Sequence, residues 1–112
     1  MRFRANNVKQ RLAAGSFPLG AFVQMASPEI VEIAGTAGYD FVWIDCEHGS
    51  FHLETAVNMF RAAEASGLTP VIRVPDHDPA FIMKVLDAGA MGVVAPHITT
   101  RAEAEAIVAA VK

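Results

Sequence analysis

Three titratable residues, Asp45, Glu47 and His48, fall within four positions directly after the apolar run Phe41–Ile44. A histidine exchanges protons near neutral pH, and a neighbouring carboxylate can hold its tautomer and raise its basicity. Arg73 ends a second apolar run, Pro70-Val71-Ile72. Its fixed fork of donors suits a carboxylate or a developing enolate. Gln24 and His97 stand at the ends of two further apolar runs. Together these types suit proton abstraction beside a stabilised anion. Plainer arrangements use the same residues. Arg73 can form an internal ion pair with Asp45 or Glu47, and His48 can be an ordinary loop histidine. A metal site of Asp45, Glu47 and His48 is a third possibility, although residues so close in sequence rarely reach one ion without outside ligands.

Such residues act together only if strands bring them to one place. Asn6–Ala14 reads as a short opening helix, and Leu19–Gln24 as a buried strand. Ser27-Pro28-Glu29 marks a helix start, with a hydroxyl cap, a proline at the first position and an early carboxylate. Ile30, Ile33, Ala34 and Ala37 form its inward stripe, and Gly38 ends it. Strand Phe41–Asp45 leads through a loop to a helix over Leu53–Ser66, with Leu53, Ala56, Val57, Phe60 and Ala63 inward. Thr69–Val74 is the third strand, and Asp78-Pro79 starts a helix carrying Phe81, Ile82, Val85 and Leu86. Gly92–Ala95 is the fourth strand, and Thr100–Val111 the last helix.

Continuous apolar strands alternating with helices predict an α/β fold, a parallel sheet covered by helices. Right-handed crossovers put every β-to-α loop on one edge, where parallel α/β proteins hold their chemistry. Residues 1–112 thus read as one partial domain of parallel βα repeats, either a small open sheet or the first half of a TIM-type (β/α)8 barrel. A complete barrel needs about 250 residues, so the stop at Lys112 reads as an interruption. Half a barrel leaves its first and fourth strand edges free, which favours a homo-oligomer or a complementing second half-barrel.

Asp87 breaks a local rule, because the C-terminal end of a helix disfavours an anion. That helix end faces away from the strand-end cluster, so a role in it needs a neighbouring subunit or unusual geometry. Asp78 reads as an N-cap, Asp76 and His77 as solvated loop residues, and His52 as early-helix surface. Cys46 reads as inert packing, and Met25, Met59, Met83 and Met91 as core fillers. The glycines make no G-x-G-x-x-G or phosphate-loop pattern.

Of 112 residues, 53% are hydrophobic and 19% charged, which excludes disorder throughout. Lys and Arg number 9 against 12 Asp and Glu, a formal charge of −3. Without a basic cluster the chain is not expected to bind nucleic acid. No apolar run reaches membrane-spanning length. Arg2 and Arg4 lead into polar Asn6, Asn7, Lys9 and Gln10 rather than a signal peptide's apolar stretch. With one cysteine and no internal disulfide, a cytoplasmic setting is expected.

Five segments carry a family resemblance: Ser27-Pro28-Glu29, the run Gly38-Tyr39-Asp40-Phe41-Val42-Trp43-Ile44-Asp45-Cys46-Glu47-His48, Pro70-Val71-Ile72-Arg73-Val74-Pro75, Leu86-Asp87-Ala88-Gly89-Ala90 and Val93-Val94-Ala95-Pro96. From about Leu19 to Lys112 the chain resembles the HpcH/HpaI aldolases, of the 4-hydroxy-2-oxoheptanedioate aldolase kind. The resemblance implies an eightfold βα barrel. It implies a lyase that uses a divalent metal, Mg2+ or Mn2+, to cleave 4-hydroxy-2-oxo acids into pyruvate and an aldehyde. By this resemblance His48 is the base, Arg73 stabilises the enolate, and Asp87 raises the basicity of His48. Asp45 and Glu47 organise the site and its metal-bound water. Gln24 and His97 are candidates for substrate contact or support. The family's metal carboxylates lie in the second half of the barrel, so no metal ligand is assigned in this chain. A citrate-lyase-like barrel enzyme, and a catalytically silent module acting in self-assembly or binding, are the alternatives.

Overall fold

The side chain of Asn6 accepts a hydrogen bond from the Lys9 N–H and starts helix α1 (Asn7–Ala13) in the computed structural model, which describes residues 4–112. Arg2, read above with Arg4 as the start of a polar N-terminus, lies outside those residues. Then follow β1 (Gly20–Val23), α2 (Pro28–Thr36), β2 (Phe41–Asp45), α3 (Leu53–Ala65), β3 (Thr69–Arg73), α4 (Pro79–Asp87), β4 (Gly92–Val94) and α5 (Arg101–Val111). The Ser27 side chain caps α2 by accepting from the Ile30 N–H, and Asp78 caps α4 by accepting from the Ala80 N–H. In both, the next residue is a proline whose missing donor costs a first turn nothing. Thr100 and Glu103 cap each other's backbone at the start of α5.

All strand pairs are parallel, in the order β1-β2-β3-β4, so each strand pairs only with its neighbours in sequence. Helices α2 to α5 lie side by side in chain order on one face. Val23, Val42, Ile44 and Ile72 pack toward them, against Val31, Ala56, Met59, Phe60, Ile82 and Val85. The alternate strand residues, Phe22, Trp43, Val71, Arg73 and Val94, lie on the other face and are half-buried or exposed. These are the four expected βα units, with β1 and β4 as free edges. Among the described residues no helix is long and apolar enough to cross a membrane.

The edge where the strands begin is closed by α1. The Asn7 N–H donates to the Thr69 hydroxyl at 2.8 Å, and its amide donates to the Gly67 and Asp40 carbonyls. The Asn6 amide reaches the Met91 carbonyl at 3.2 Å, and Arg11 pairs with Asp40.

Two expectations about the core need correction. In α2, Val31 and Ala34 are buried, whereas Ile33 is 66% exposed and Ala37 is exposed too. Helix α2 packs mainly on α3, and Gly35 approaches so closely that a Cβ there would stand 2.4 Å from the Ser66 Cβ. That approach turns the 31-34-35 side inward and leaves Ile33 outside. Of the methionines read as core fillers, Met59 is fully buried but Met25 and Met83 are exposed.

These positions predict opposite responses to truncation. Ile44→Ala is expected to lower the unfolding free energy by about 2–5 kcal/mol, and Ile33→Ala by less than about 0.5 kcal/mol. Urea denaturation midpoints check both.

Candidate active site

Strand β2 ends in Asp45 and β3 in Arg73, and the sheet register sets them directly opposite each other. The guanidinium grips the carboxylate with two bonds, Nε to Oδ1 at 3.0 Å and Nη2 to Oδ2 at 2.6 Å. Among the described residues Asp45 is the only charged side chain that is buried. Its remaining acceptor capacity is also used. Oδ2 accepts from the Gln24 amide at 3.1 Å, and Oδ1 accepts the backbone N–H groups of Glu47 and His48 at 3.0 and 3.2 Å. The hydrogen bonds from Arg73 hold the Asp45 carboxyl far below the usual carboxylate range. They outweigh desolvation, and the bonds from His48, Gln24 and Glu47 add to them.

Those two backbone bonds fold the loop after β2 back over its own strand. The turn needs Gly49, because a Cβ there would lie 2.2 Å from the Asp45 carbonyl oxygen and 2.6 Å from the Phe51 ring. The fold-back presents His48 to solvent and Glu47 to the neighbouring strand ends. Glu47 Oε1 lies 3.3 Å from Arg73 Nε and 3.4 Å from His48 Nδ1, and Oε2 lies 2.7 Å from His97 Nε2. His48 Nδ1 is also 3.0 Å from Arg73 Nη2 and 3.6 Å from Asp45 Oδ2. Phe22 and Trp43 lie beneath the guanidinium, with ring centroids 5.7 and 5.9 Å from its central carbon. These are cation–π distances. A cavity of about 480 Å³, lined in part by Glu47, Ser50, Phe51 and Phe81, opens beside the cluster.

Six of the seven residues singled out in the sequence thus meet at one edge: Gln24, Asp45, Glu47, His48, Arg73 and His97. Asp87 does not join them. It ends α4, which runs from the β3 terminus back to the start of β4, and so it is exposed at the opposite edge. Within one copy of this chain it cannot support His48. Cys46 is buried packing as expected, its thiol pushed up to about 11 by desolvation and by the nearby Asp45 charge. His77, expected to be solvated, instead has its Nε2 2.5 Å from the Pro96 carbonyl oxygen and ties the β3–α4 loop to the end of β4. No local pattern signals that contact, because its partners are 19 residues apart.

Asp45, Glu47 and His48 bring possible ligand atoms within 4.8 Å of one another. They do not fit a metal ion as they stand. The Arg73 guanidinium already lies among them, and five donors occupy the Asp45 oxygens. A dication there would be repelled by the fixed positive charge.

Asp45→Asn is expected to destabilise the protein by about 3 kcal/mol at pH 7, near the low end for a broken buried pair because Arg73 keeps some access to water. A carboxyl with a depressed folded pKa contributes stability above its unfolded pKa of about 3.9, and that contribution fades as pH falls toward the folded value. The gap between wild type and variant should therefore narrow below about pH 4, as read from denaturation curves across an acid series.

Comparison with known proteins bears on these residues directly. The family model described as HpcH/HpaI aldolase/citrate lyase matches residues 19–112. A 4-hydroxy-4-methyl-2-oxoglutarate aldolase of Chaetomium globosum is 43% identical over 105 residues, covering 92% of this chain and 39% of the relative. A 4-hydroxy-2-oxovalerate aldolase of Novosphingobium aromaticivorans is 40% identical, covering 98% of this chain and 42% of that protein. Among solved structures, the citrate synthase SbnG superposes with a TM-score of 0.86 at 40% identity, covering 90% of this chain and 41% of that one. The chain spans about two fifths of the length of these relatives. Its strand-end cluster falls wholly within the matched residues, and the chain belongs to the HpcH/HpaI aldolase/citrate lyase family.

Proposed function

We propose that these residues form the proton-transfer and anion-stabilising part of a carbon–carbon lyase that cleaves a 4-hydroxy-2-oxo acid to pyruvate and an aldehyde. The observation that carries this reading is the placing of His48 beside an arginine whose charge is fixed by Asp45 at the strand-end edge. His48 Nε2 takes the proton of the substrate 4-hydroxyl. The O–H electron pair becomes the aldehyde carbonyl, and the C3–C4 bond breaks with its electrons moving to C3. Arg73 stabilises the resulting enolate of pyruvate. Since Nε and Nη2 hold Asp45, Nη1 is the donor left for the substrate. C3 then takes the proton held on His48, which restores the base, and pyruvate leaves.

The family names of two relatives, both aldolases of 4-hydroxy-2-oxo acids, support this substrate class. Because the cluster does not fit an ion, the Mg2+ or Mn2+ that the resemblance implies would take its carboxylates from outside these 112 residues. The bare sheet face and free edges support its being covered by further protein, either a second copy or a second half-barrel. Carbon–carbon bond formation of the citrate synthase kind is a second reading, favoured by the likeness to SbnG.

Pyruvate release from a 4-hydroxy-2-oxo acid, followed with and without Mn2+, tests the proposal. His48→Ala is expected to lower the rate about 10²–10⁴-fold, the usual weight of a general base. In a protein that also carries those outside carboxylates, no pyruvate release, or a variant as fast as wild type, would overturn it in favour of a silent module or the second reading.

A further inference from the structure

The Arg73 guanidinium spends only its side edge on Asp45. Nε donates to Oδ1 at 3.0 Å and Nη2 to Oδ2 at 2.6 Å. The second hydrogen of Nη2 points to the far end of the fork, beside those of Nη1. It goes to His48 Nδ1, 3.0 Å away. Asp45 Oδ2 and His48 Nδ1 stand 3.6 Å apart, so each takes a hydrogen of its own. A guanidinium only donates, and Nδ1 is therefore the acceptor and holds no hydrogen. The neutral ring then carries its hydrogen on Nε2, and a nitrogen that holds a hydrogen takes up no further proton. In this state His48 is not yet a base.

The bond that withholds the base is the one an incoming oxyanion contests. Asp45 fills the side edge, so the open end of the guanidinium is Nη1 together with the second hydrogen of Nη2. A planar oxyanion with two oxygens grips both nitrogens at that end. The paired bonds to Asp45, and the Phe22 and Trp43 rings beneath, hold the guanidinium plane in place. Nη2 has two hydrogens only, and an oxyanion that takes the second leaves none for His48. The groups then nearest Nδ1 are Glu47 Oε1 at 3.4 Å and Asp45 Oδ2 at 3.6 Å. Neither is hydrogen-bonded to the ring here, but their negative charge favours a hydrogen on Nδ1. With 59% of the side chain exposed, the ring can give the Nε2 proton to water and take one from water at Nδ1. Nε2 becomes the free acceptor.

We propose that Arg73 is a substrate-operated lock on His48. It holds the histidine in its non-basic tautomer until a planar oxyanion at the open end of the guanidinium takes the Nη2 hydrogen and releases Nδ1. This rests on the reading of His48 as the base, and it ties that base to the arrival of substrate.

Long-range 1H–15N spectra of histidine-labelled protein show which ring nitrogen holds the hydrogen. They are recorded without added metal at mildly alkaline pH, where an ordinary histidine is neutral, and His48 is identified by its loss in His48→Gln. Oxalate is the probe, because its paired oxygens share a plane as those of an enolate of pyruvate do. Sodium chloride at the same ionic strength is the control. The free protein is expected to show His48 as the Nε2–H tautomer, and oxalate, unlike chloride, to place hydrogen on Nδ1. An averaged or Nδ1–H pattern in the free protein overturns the proposal, and so does an Nε2–H pattern that oxalate leaves unchanged. Arg73→Lys, a point charge without the fork, is expected to lose the Nε2–H preference with no oxalate present; a folded variant that keeps it also overturns the lock. If that variant does not fold, the wild-type spectra decide. The spectra read ring nitrogens and not turnover, so a working lock in a protein that releases no pyruvate counts against the lyase reading alone.

Discussion

The paired bonds between Asp45 and Arg73 are the constraint on which the strand-end edge is built. They cross from β2 to β3 at the last register position, where a sheet would otherwise fray. A buried carboxylate is costly unless every acceptor site is filled. Arg73, Gln24 and the backbone of Glu47 and His48 fill them, and so each of those residues has its place set by Asp45. The loop that carries His48 is thus shaped by the need to solvate a buried charge with protein donors.

Much of this was legible in the sequence because the local signals agreed. Ser27-Pro28 and Asp78-Pro79 start helices where a cap and a donor-free first position are wanted, and both do so here. The strand ends were legible too, since a charged residue after an apolar run has few places to go in a parallel sheet. What escaped depends on the third dimension. Helical spacing in α2 shows that one face is apolar, but the choice between Val31 and Ile33 is made by the approach of Gly35 to Ser66. Likewise His77 and Pro96 belong to different loops, and only the adjacency of β3 and β4 joins them.

Asp87 marks the boundary between what a motif implies and what one copy of the chain places. The motif carries it with the other site residues, while the crossover through α4 carries it to the far edge. Topology decides this, because a helix that returns a parallel strand must end where the next strand begins.

Helix α1 has a bearing on how the chain folds. Every strand pairs with its sequence neighbour, so each pair in the sheet spans a single crossover. The contacts of α1 are different. Asn7 reaches across 33 to 62 residues and Asn6 across 85 to the residue just before β4. These amides find their acceptors only after the later strands are laid down. The docking of α1 thus ties together segments as far apart in sequence as Asn6 and Met91, and it holds the starts of β2, β3 and β4 at one edge.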